Sequence, residues 1–193
     1  MYKKTLTVAM AAATLATLAT LTAAPASAVA FTDAAPKIEV IFGAFTTIRE
    51  PDSTFTCPAG EVLIDRAHWG DETGWTRYRC GQVRINGETV SVQTRNWTTA
   101  GKESNSYFAS PPDHVLIGRR HLGDENGLTS YLTGALYWRG VQLRLTSRYW
   151  TEPMKESNHS IQAFAPLVMT GRQHKGDENG DTRYEYSTVT VDG

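Results

Sequence analysis

A ten-residue motif that occurs three times constrains the fold of this chain more than any other feature. It reads Gly-Arg-Gln-His-Lys-Gly-Asp-Glu-Asn-Gly at 171–180, is almost unchanged at 118–127, and appears in a diverged form at 65–74. The step between copies is 53 residues both times. A fixed period of this length indicates one supersecondary unit used repeatedly, whose apolar face is covered by its neighbours. We therefore expect a body built from three related units.

The repeat extends beyond this motif. A second motif at 95–105, Arg-Asn-Trp-Thr followed by Lys-Glu-Ser-Asn, recurs at 148–158, and the chain ends before a third copy. One step earlier, Arg-Glu-Pro-Asp-Ser at 49–53 matches it, and Phe55 falls where Phe108 lies. We therefore expect the N-terminal strands to complete the last repeat, which would close the body and remove open sheet edges.

Within a unit the pattern predicts strands. The runs 90–94 and 141–145 alternate between apolar and polar residues, as half-buried strands do, and Asp-Glu-Asn-Gly is a strong turn signal. We expect an all-β fold with about four strands per unit and twelve in all. The predicted body has approximate threefold symmetry, and a β-prism, a trefoil-like barrel and a small propeller-like fold all meet this description.

The N-terminus has the features of an export signal. Lys3 and Lys4 precede an apolar run from 6 to 24, and Ala26-Ser27-Ala28 has the form of a signal-peptidase site. We predict a signal peptide at 1–28, with cleavage after residue 28 or 30, an extended arm at 29–36 and one domain at 37–193. The Thr-rich run lacks a basic stop-transfer flank, so secretion is favoured over a membrane anchor.

Charge and cysteine content narrow the class of protein. Removal of Lys3 and Lys4 leaves 17 basic and 20 acidic side chains, and the basic residues are dispersed, so nucleic acid is not an expected partner. Cys57 and Cys80 are the only cysteines, and an oxidising compartment favours a disulfide between them. Because both flank the first motif, we expect the bond to pin one hairpin.

The motif supplies candidate ligand-binding residues. We expect its Asp and Asn to hydrogen-bond the backbone of the turn rather than to bind calcium, because the Gly and the final Glu of an EF-hand loop are missing at the required positions. We predict neither a metal nor a cofactor. The histidines beside Gly-Asp favour a buried hydrogen-bond cluster between hairpins over the rim of a pocket. Trp69 and Trp75 occur only in the first copy and are suited to sugar or protein recognition. If the chain binds a ligand, the expected residues are His68, Trp69, Asp71, Trp75, His121, Asp124, Asn126, His174, Asp177 and Asn179.

Catalysis would require one acid–base pair in asymmetric surroundings, but the candidate acids of this chain occur in near-identical copies, so we expect no enzymatic activity. Three near-identical units suit two classes of binding function instead. A lectin would gain avidity on a repetitive glycan from three similar sites. An adaptor would use the body for docking and the arm, with Val29, Ala30, Phe31, Thr32 and Asp33, as a segment that enters a groove or joins a sheet edge of its partner. A secreted protease inhibitor is a third alternative, because an exposed arm or loop can occupy a protease cleft.

The export signal, the short arm, the all-β body and the repeated Arg-x-His-x-Gly-Asp-Glu-Asn-Gly-x-Thr-x-Tyr motif together resemble the small adaptor, or B component, of the umbrella toxin particles that filamentous soil bacteria secrete. The resemblance covers the whole mature chain. It implies an adaptor that links a lectin subunit with a degenerate trypsin-like domain to a large repeat-containing toxin. It also implies that Phe31 and its neighbours in the arm contact a cleft of the lectin subunit. On this basis the adaptor is favoured over the lectin.

Overall fold

The computed structural model describes residues 35–71, 73–124 and 126–191 of the chain. These residues form sixteen strands and no helix, so the predicted all-β class is confirmed. The sequence predicts about twelve strands; twelve of the sixteen contain four residues or more, and the other four contain two residues each. The strands are β1 Ile38–Arg49, β2 Ser53–Thr56, β3 Val62–Trp69, β4 Trp75–Ile85, β5 Glu88–Thr89, β6 Ser91–Trp97, β7 Gly101–Lys102, β8 Asn105–Ala109, β9 His114–Leu122, β10 Leu128–Trp138, β11 Val141–Gln142, β12 Arg144–Trp150, β13 Met154–Lys155, β14 Asn158–Gln162, β15 Leu167–Lys175 and β16 Asp181–Thr190.

Each copy of the ten-residue motif forms the end of a long antiparallel hairpin. The hairpins are β3–β4, β9–β10 and β15–β16. The first glycine of each turn adopts positive φ, 104° at Gly70, 87° at Gly123 and 104° at Gly176, a conformation that a side chain would disfavour. The last glycine of each motif closes the turn by donating its N–H to the carbonyl oxygen of the motif aspartate at 2.8 Å in all three copies, so the turn predicted from the Asp-Glu-Asn-Gly pattern is confirmed.

Each hairpin forms the middle of one sheet and receives its outer strands from other parts of the chain. The first sheet has the order β1-β4-β3-β14, with β5 beside β4. The second has the order β11-β10-β9-β2, with β6 and β7 also on β10. The third has the order β12-β16-β15-β8, with β13 also on β16. Register shifts interrupt all three hairpins, so their strands are bent rather than flat.

The prediction that the N-terminal strands complete the last repeat is wrong. β1 pairs with β4 of the first hairpin, and β2 pairs with β9 of the second. The late strand β14 closes the chain instead, because it pairs with β3 from Asn158 opposite Trp69 to Gln162 opposite Asp65. The physical reason is that the strands around each copy of the second motif pair with two other hairpins and not with the hairpin that precedes them in the chain. The N-terminal strands β1 and β2 follow the same rule and join the first two sheets.

The core lies between the sheets, where each hairpin contributes aliphatic residues and a Thr-x-Tyr tyrosine. Phe55 on β2 stacks on Tyr78 at 4.2 Å, and Phe108 on β8 stacks on Tyr131 at 4.7 Å. The predicted equivalence of Phe55 and Phe108 is thus confirmed by their packing. Because a stacked aromatic pair is stabilising beyond its buried area, these contacts help to fix β2 and β8 on the neighbouring sheets.

Cys57 and Cys80 form the predicted disulfide, but the bond does not pin one hairpin. Cys80 lies on β4 of the first sheet, whereas Cys57 follows β2 and donates its N–H to the Ile117 carbonyl of β9 at 2.8 Å. The bond therefore joins the first sheet to the second, because β2, which precedes the first motif in the chain, pairs with β9 of the second hairpin. No helix in the described ranges has the length and apolar character needed to cross a bilayer.

Candidate functional site: a buried ring of arginine and glutamate

Three buried arginines lie on the middle strands of the three sheets. Arg66 is on β3, Arg119 on β9 and Arg172 on β15, each two residues before a motif histidine. Because side chains two residues apart in a strand share a face, arginine and histidine both point into the body. The arginines are at most 2% exposed. A guanidinium buried to this extent needs carboxylate partners.

The partners are three buried glutamates of the second motif, and the hairpin turns hold them in place. In each case the backbone N–H of the glutamate donates to the carbonyl oxygen of the last glycine of a ten-residue motif. The pairs are Glu50 with Gly74 at 3.0 Å, Glu103 with Gly127 at 2.9 Å and Glu156 with Gly180 at 3.0 Å. The two repeated motifs are therefore physically connected, and the turn positions the carboxylate.

The six charged side chains form a closed cycle in which each arginine contacts two glutamates and each glutamate contacts two arginines. Four of the closest nitrogen–oxygen distances lie between 2.9 and 3.3 Å. The order around the cycle is Glu50, Arg119, Glu103, Arg172, Glu156, Arg66 and back to Glu50. Its members come from all three sheets and from the segments between them, so this cycle, the charge ring, ties the hairpins to one another.

The charge ring is neutral when every member is ionised, and its electrostatics favour that state. Burial alone would raise the pKa of the Glu103 carboxyl, but Arg119 and Arg172 outweigh burial and lower the pKa from 4.5 to about 2. Burial likewise opposes the charge of Arg172, but Glu103 and Glu156 raise its pKa well above 12.5. Each charge therefore depends on two opposite charges, as expected for ions removed from water.

Tyrosine hydroxyls and one unrepeated histidine complete the surroundings of the ring. Arg66 donates to the Tyr184 hydroxyl at 2.6 Å and lies 3.1 Å from His159 Nε2. His159 stands where the other two copies have Ser53 and Ser106, so this contact breaks the repeat. Burial lowers the pKa of His159 to about 4 and so favours its neutral form beside Arg66.

The motif histidines His68, His121 and His174 surround a small cavity of about 30 Å³ next to the charge ring. Its lining also includes the three ring glutamates, Asp71, Asp177 and Glu178. His174 Nε2 donates to the Gly176 carbonyl at 2.9 Å, while its Nδ1 faces Glu156 at 3.7 Å without a hydrogen bond. The volume of this cavity is that of about one water molecule.

The motif aspartates stabilise the turns. Oδ1 of Asp71 accepts from the Thr73 N–H, Oδ1 of Asp124 accepts from the Asn126 N–H, and Oδ1 of Asp177 accepts from the Asn179 N–H, each at 2.9 Å. These hydrogen bonds to the backbone two residues later are the turn chemistry that the sequence predicts. Asp71 and Asp177 also lie at the cavity with the histidines, whereas Asp124 is not in its lining.

Trp69 and Trp75 lie away from the ring, at the end of the first hairpin. They are directly opposite each other across β3 and β4, and each is 40% exposed. The guanidinium of Arg49 stacks on the Trp75 ring at 4.4 Å. The ten predicted ligand-binding residues therefore divide between the buried cavity, the turns and an exposed aromatic pair, and do not form one pocket. The arm residues Val29, Ala30, Phe31, Thr32 and Asp33 lie outside the described residues.

Among the described residues, no group of three or more His, Cys, Asp or Glu side chains has the arrangement needed to hold a metal ion. Comparison of the chain with protein families, curated proteins and solved structures finds no match. The physical arrangement of the residues therefore carries the functional argument.

The sequence predicts a hydrogen-bond cluster around Arg-x-His, but it does not identify the ring glutamates as the partners. A signal was available, because Glu50, Glu103 and Glu156 keep the same 53-residue step as the arginines. The motifs carrying the two charges are far apart in the chain, however, and only the strand exchange between sheets brings them together. Because the charge ring pairs three arginines with three glutamates from different parts of the chain, its ion pairs are suited to holding the three hairpins together.

Proposed function

We propose that this chain is a secreted, non-catalytic adaptor that links protein subunits of an extracellular antibacterial toxin complex through its N-terminal arm and its β body. The body, in this proposal, is a rigid scaffold in which three units are related by approximate threefold symmetry. The repeated ring contacts and the equivalent places of β1, β6 and β12 beside the second strands of the hairpins support this arrangement. The ring and the intersheet disulfide would keep the scaffold rigid on binding.

The observation that carries the binding proposal is that the three hairpins share their buried residues but differ in the exposed residues at their ends. Trp69 and Trp75 of the first hairpin are exposed, whereas the corresponding positions are Leu122 and Leu128 in the second hairpin and Lys175 and Asp181 in the third. A repeated core with one distinctive aromatic surface suits recognition of a partner at that surface, because large aromatic side chains dominate the energetics of protein interfaces.

Purification of the tagged, secreted protein from the medium of its native producer tests the adaptor proposal. The expected result is co-elution of large secreted proteins in fixed stoichiometry, identified by mass spectrometry. A variant lacking residues 29–36 should lose at least one partner while the body keeps its circular dichroism spectrum and unfolding midpoint. Elution of the wild-type protein alone, at the size of a monomer, would contradict the proposal.

A lectin is the second candidate, and the exposed Trp69–Trp75 pair beside a polar turn favours it. Aromatic faces of this kind can stack on the apolar faces of sugar rings. Titration of oligosaccharides by calorimetry, first with the wild type and then with Trp75→Ala, tests this alternative. Glycan binding that is lost in Trp75→Ala but retained in Leu128→Ala, the matched change on the second hairpin, would favour the lectin.

A further inference from the structure

The outer face of the first sheet carries a cluster of arginine and aromatic side chains, here called the arginine–aromatic face: Phe42, Phe45, Trp75, Arg77 and Arg79. The two arginines and Trp75 alternate along β4 and point away from the core, because Thr76 and Tyr78 between them point inwards. Phe45 on β1 lies directly opposite Arg79. The face therefore spans the boundary between β4 and β1.

Cation–π contacts arrange the face. The Arg77 guanidinium lies 4.2 Å and the Arg79 guanidinium 4.0 Å from the centre of the Phe45 ring, and Arg79 also lies 5.0 Å from Phe42. Phe42 is 39% and Phe45 43% exposed. Stacking holds the guanidinium groups in place while leaving them available to hydrogen-bond an anion.

These arginines lack a close carboxylate partner. Neither Arg77 nor Arg79 forms an ion pair with a carboxylate among the described residues. Asp65 is opposite Arg79 on β3 and interacts with both arginines beyond ion-pair distance, so two guanidinium groups face one buried carboxyl and the face keeps a net positive charge even when Asp65 is ionised. Arg79 makes one long hydrogen bond, 3.4 Å, to Gln162. The face is thus a fixed positive surface, and an incoming carboxylate would be complementary to it.

The same face adjoins an open sheet edge. β1 is the terminal strand of the first sheet, and no strand in the described ranges pairs with its outer side. Its pairing with β4 shifts register between Phe42 and Phe45, and the segment 45–49 is regular. Sheet edges of this kind bind extended peptides through backbone hydrogen bonds, while side chains of alternate residues contact the flanking face.

The other two sheets differ at this place. The corresponding strands are β6, Ser-Val-Gln-Thr-Arg-Asn-Trp, and β12, Arg-Leu-Thr-Ser-Arg-Tyr-Trp, whereas β1 contains Ile-Glu-Val-Ile-Phe-Gly-Ala-Phe. On the strand next to the edge, Ser130 and Leu132 or Arg183 and Glu185 take the places of Arg77 and Arg79. The combination of an apolar edge with unpaired arginines is therefore a property of the first sheet.

We propose that residues 45–49 of β1 and the arginine–aromatic face form a docking site for an extended, acidic segment of a partner protein, which adds to the first sheet as a further strand. Carboxylates at alternate positions of the segment would lie on the side of the sheet that carries Phe45 and pair with Arg77 and Arg79, while the apolar side chains between them would point to the opposite side, beside Ile48. A second copy of this chain is disfavoured as occupant, because it would bring a further set of arginines to the same edge. This proposal specifies the partner surface of the adaptor proposed above and rests on that function.

Selection from a random 12-residue peptide display library, with the intact body as bait, tests the docking site and does not require the partner to be identified first. The expected peptides alternate Asp or Glu with β-branched or aromatic residues. Their binding should protect the amides of 45–49 from hydrogen exchange. The double variant Arg77→Gln/Arg79→Gln should weaken binding about tenfold or more. Phe45→Ser should weaken it too, whereas Tyr149→Ser, an exposed aromatic change on β12, should not.

Several results would overturn the proposal. They are a selection that enriches no acidic peptides, peptides that bind the arginine variant equally well, and binding of heparin oligosaccharides that depends on Arg77 and Arg79 without amide protection of β1. Concentration-dependent dimerisation that Phe45→Ser abolishes would assign the edge to a second copy. Peptide binding that appears only after removal of residues 1–34 would assign it to the chain's own arm. Partner capture in the purification experiment remains a separate result, so the adaptor function can hold even if this surface is wrong.

Discussion

Replacement of Glu103 by Gln tests the charge ring as the element that holds the hairpins together. Glu103 lies 3.0 Å from Arg119 and also contacts Arg172. The substitution keeps the size of the side chain but leaves three buried arginines with two glutamates, so one positive charge is uncompensated. Removal of one partner from a buried ion pair costs about 3–5 kcal/mol of unfolding free energy. We expect a loss within this range, because Glu103 is 5% exposed and both of its arginines are buried.

Urea unfolding followed by tryptophan fluorescence measures this loss. With a slope of about 2 kcal/mol per molar urea, the midpoint should fall by roughly 1.5–2.5 M while the slope stays constant. Glu88→Gln is the matched control, because Glu88 accepts two hydrogen bonds from Arg139 but lies with it on the exposed surface. We expect a much smaller shift for the control, since exposed ion pairs contribute little.

A double-mutant cycle sharpens this test. Arg119→Met combined with Glu103→Met removes one charge of each sign and restores neutrality, so the double variant should be more stable than the sum of its single variants implies. A midpoint for Glu103→Gln no lower than that of Glu88→Gln, together with zero coupling in the cycle, would refute the reasoning that the ring stabilises the fold through its balanced charges.

Three further predictions concern pH, the disulfide and the turns. Burial and Arg119 lower the folded-state pKa of His121 from 6.5 to about 4, so the unfolding free energy should decrease as pH falls from about 6.5 to 4. Despite burial, Arg119 and Arg172 lower the folded-state pKa of Glu103 from 4.5 to about 2, so the unfolding free energy should decrease further as pH falls from about 4.5 to 2. Denaturant titrations at pH 7, 5.5 and 4 should show this trend, and His121→Asn should reduce the loss between pH 6.5 and 4; an unchanged slope would contradict the assignment. Cys57→Ala/Cys80→Ala removes a cross-link between residues 23 apart and should cost about 3 kcal/mol, measured by urea unfolding without reductant, whereas an unaltered midpoint would show that β2 is held by its strand pairing and stacking alone. Gly127→Ala would place a methyl group against the carbonyl oxygens of Leu122 and Asp124 and should lower the unfolding free energy by about 2 kcal/mol or more. Gly101→Ala, with open space around it, should be close to neutral in the same urea unfolding assay.

Local structure could be predicted from the sequence because the same residue types recur at the same positions of each repeat. The turns at Asp71 and Asp177 and the strand pattern follow from residue types within a few positions, and the equivalence of Phe55 to Phe108 follows from the 53-residue step. Pairing between hairpins was not predictable in the same way, since any of the three hairpins offers a strand edge of similar composition to the N-terminal segment. The assignment of β1 and β2 to the last repeat was wrong for this reason.

The candidate sites were predicted only in part, for a related physical reason. The histidines were expected to form a buried cluster, and His68 and His174 do lie at one cavity, but their carboxylate partners come from a separate motif. The arginine–aromatic face is harder to find, because Arg77, Arg79 and Phe45 break the repeat, and only the register of β1 against β4 shows that they meet. The repeat marks the residues that the three hairpins share, whereas the residues of this face occur once and carry no such mark.

The exchange of strands between hairpins has a consequence for how the chain acquires its structure. Arg66 reaches Glu156 across 90 residues, and Arg119 reaches Glu50 across 69. No single hairpin can neutralise its own guanidinium, so partial folding leaves an unpaired charge in a half-formed interior. Productive folding must therefore wait until almost the whole polypeptide is available, and we expect slow, all-or-none kinetics in which fragments truncated before β14 remain unfolded. A chain that stays open in this way until its synthesis is nearly complete would suit the secretion proposed above.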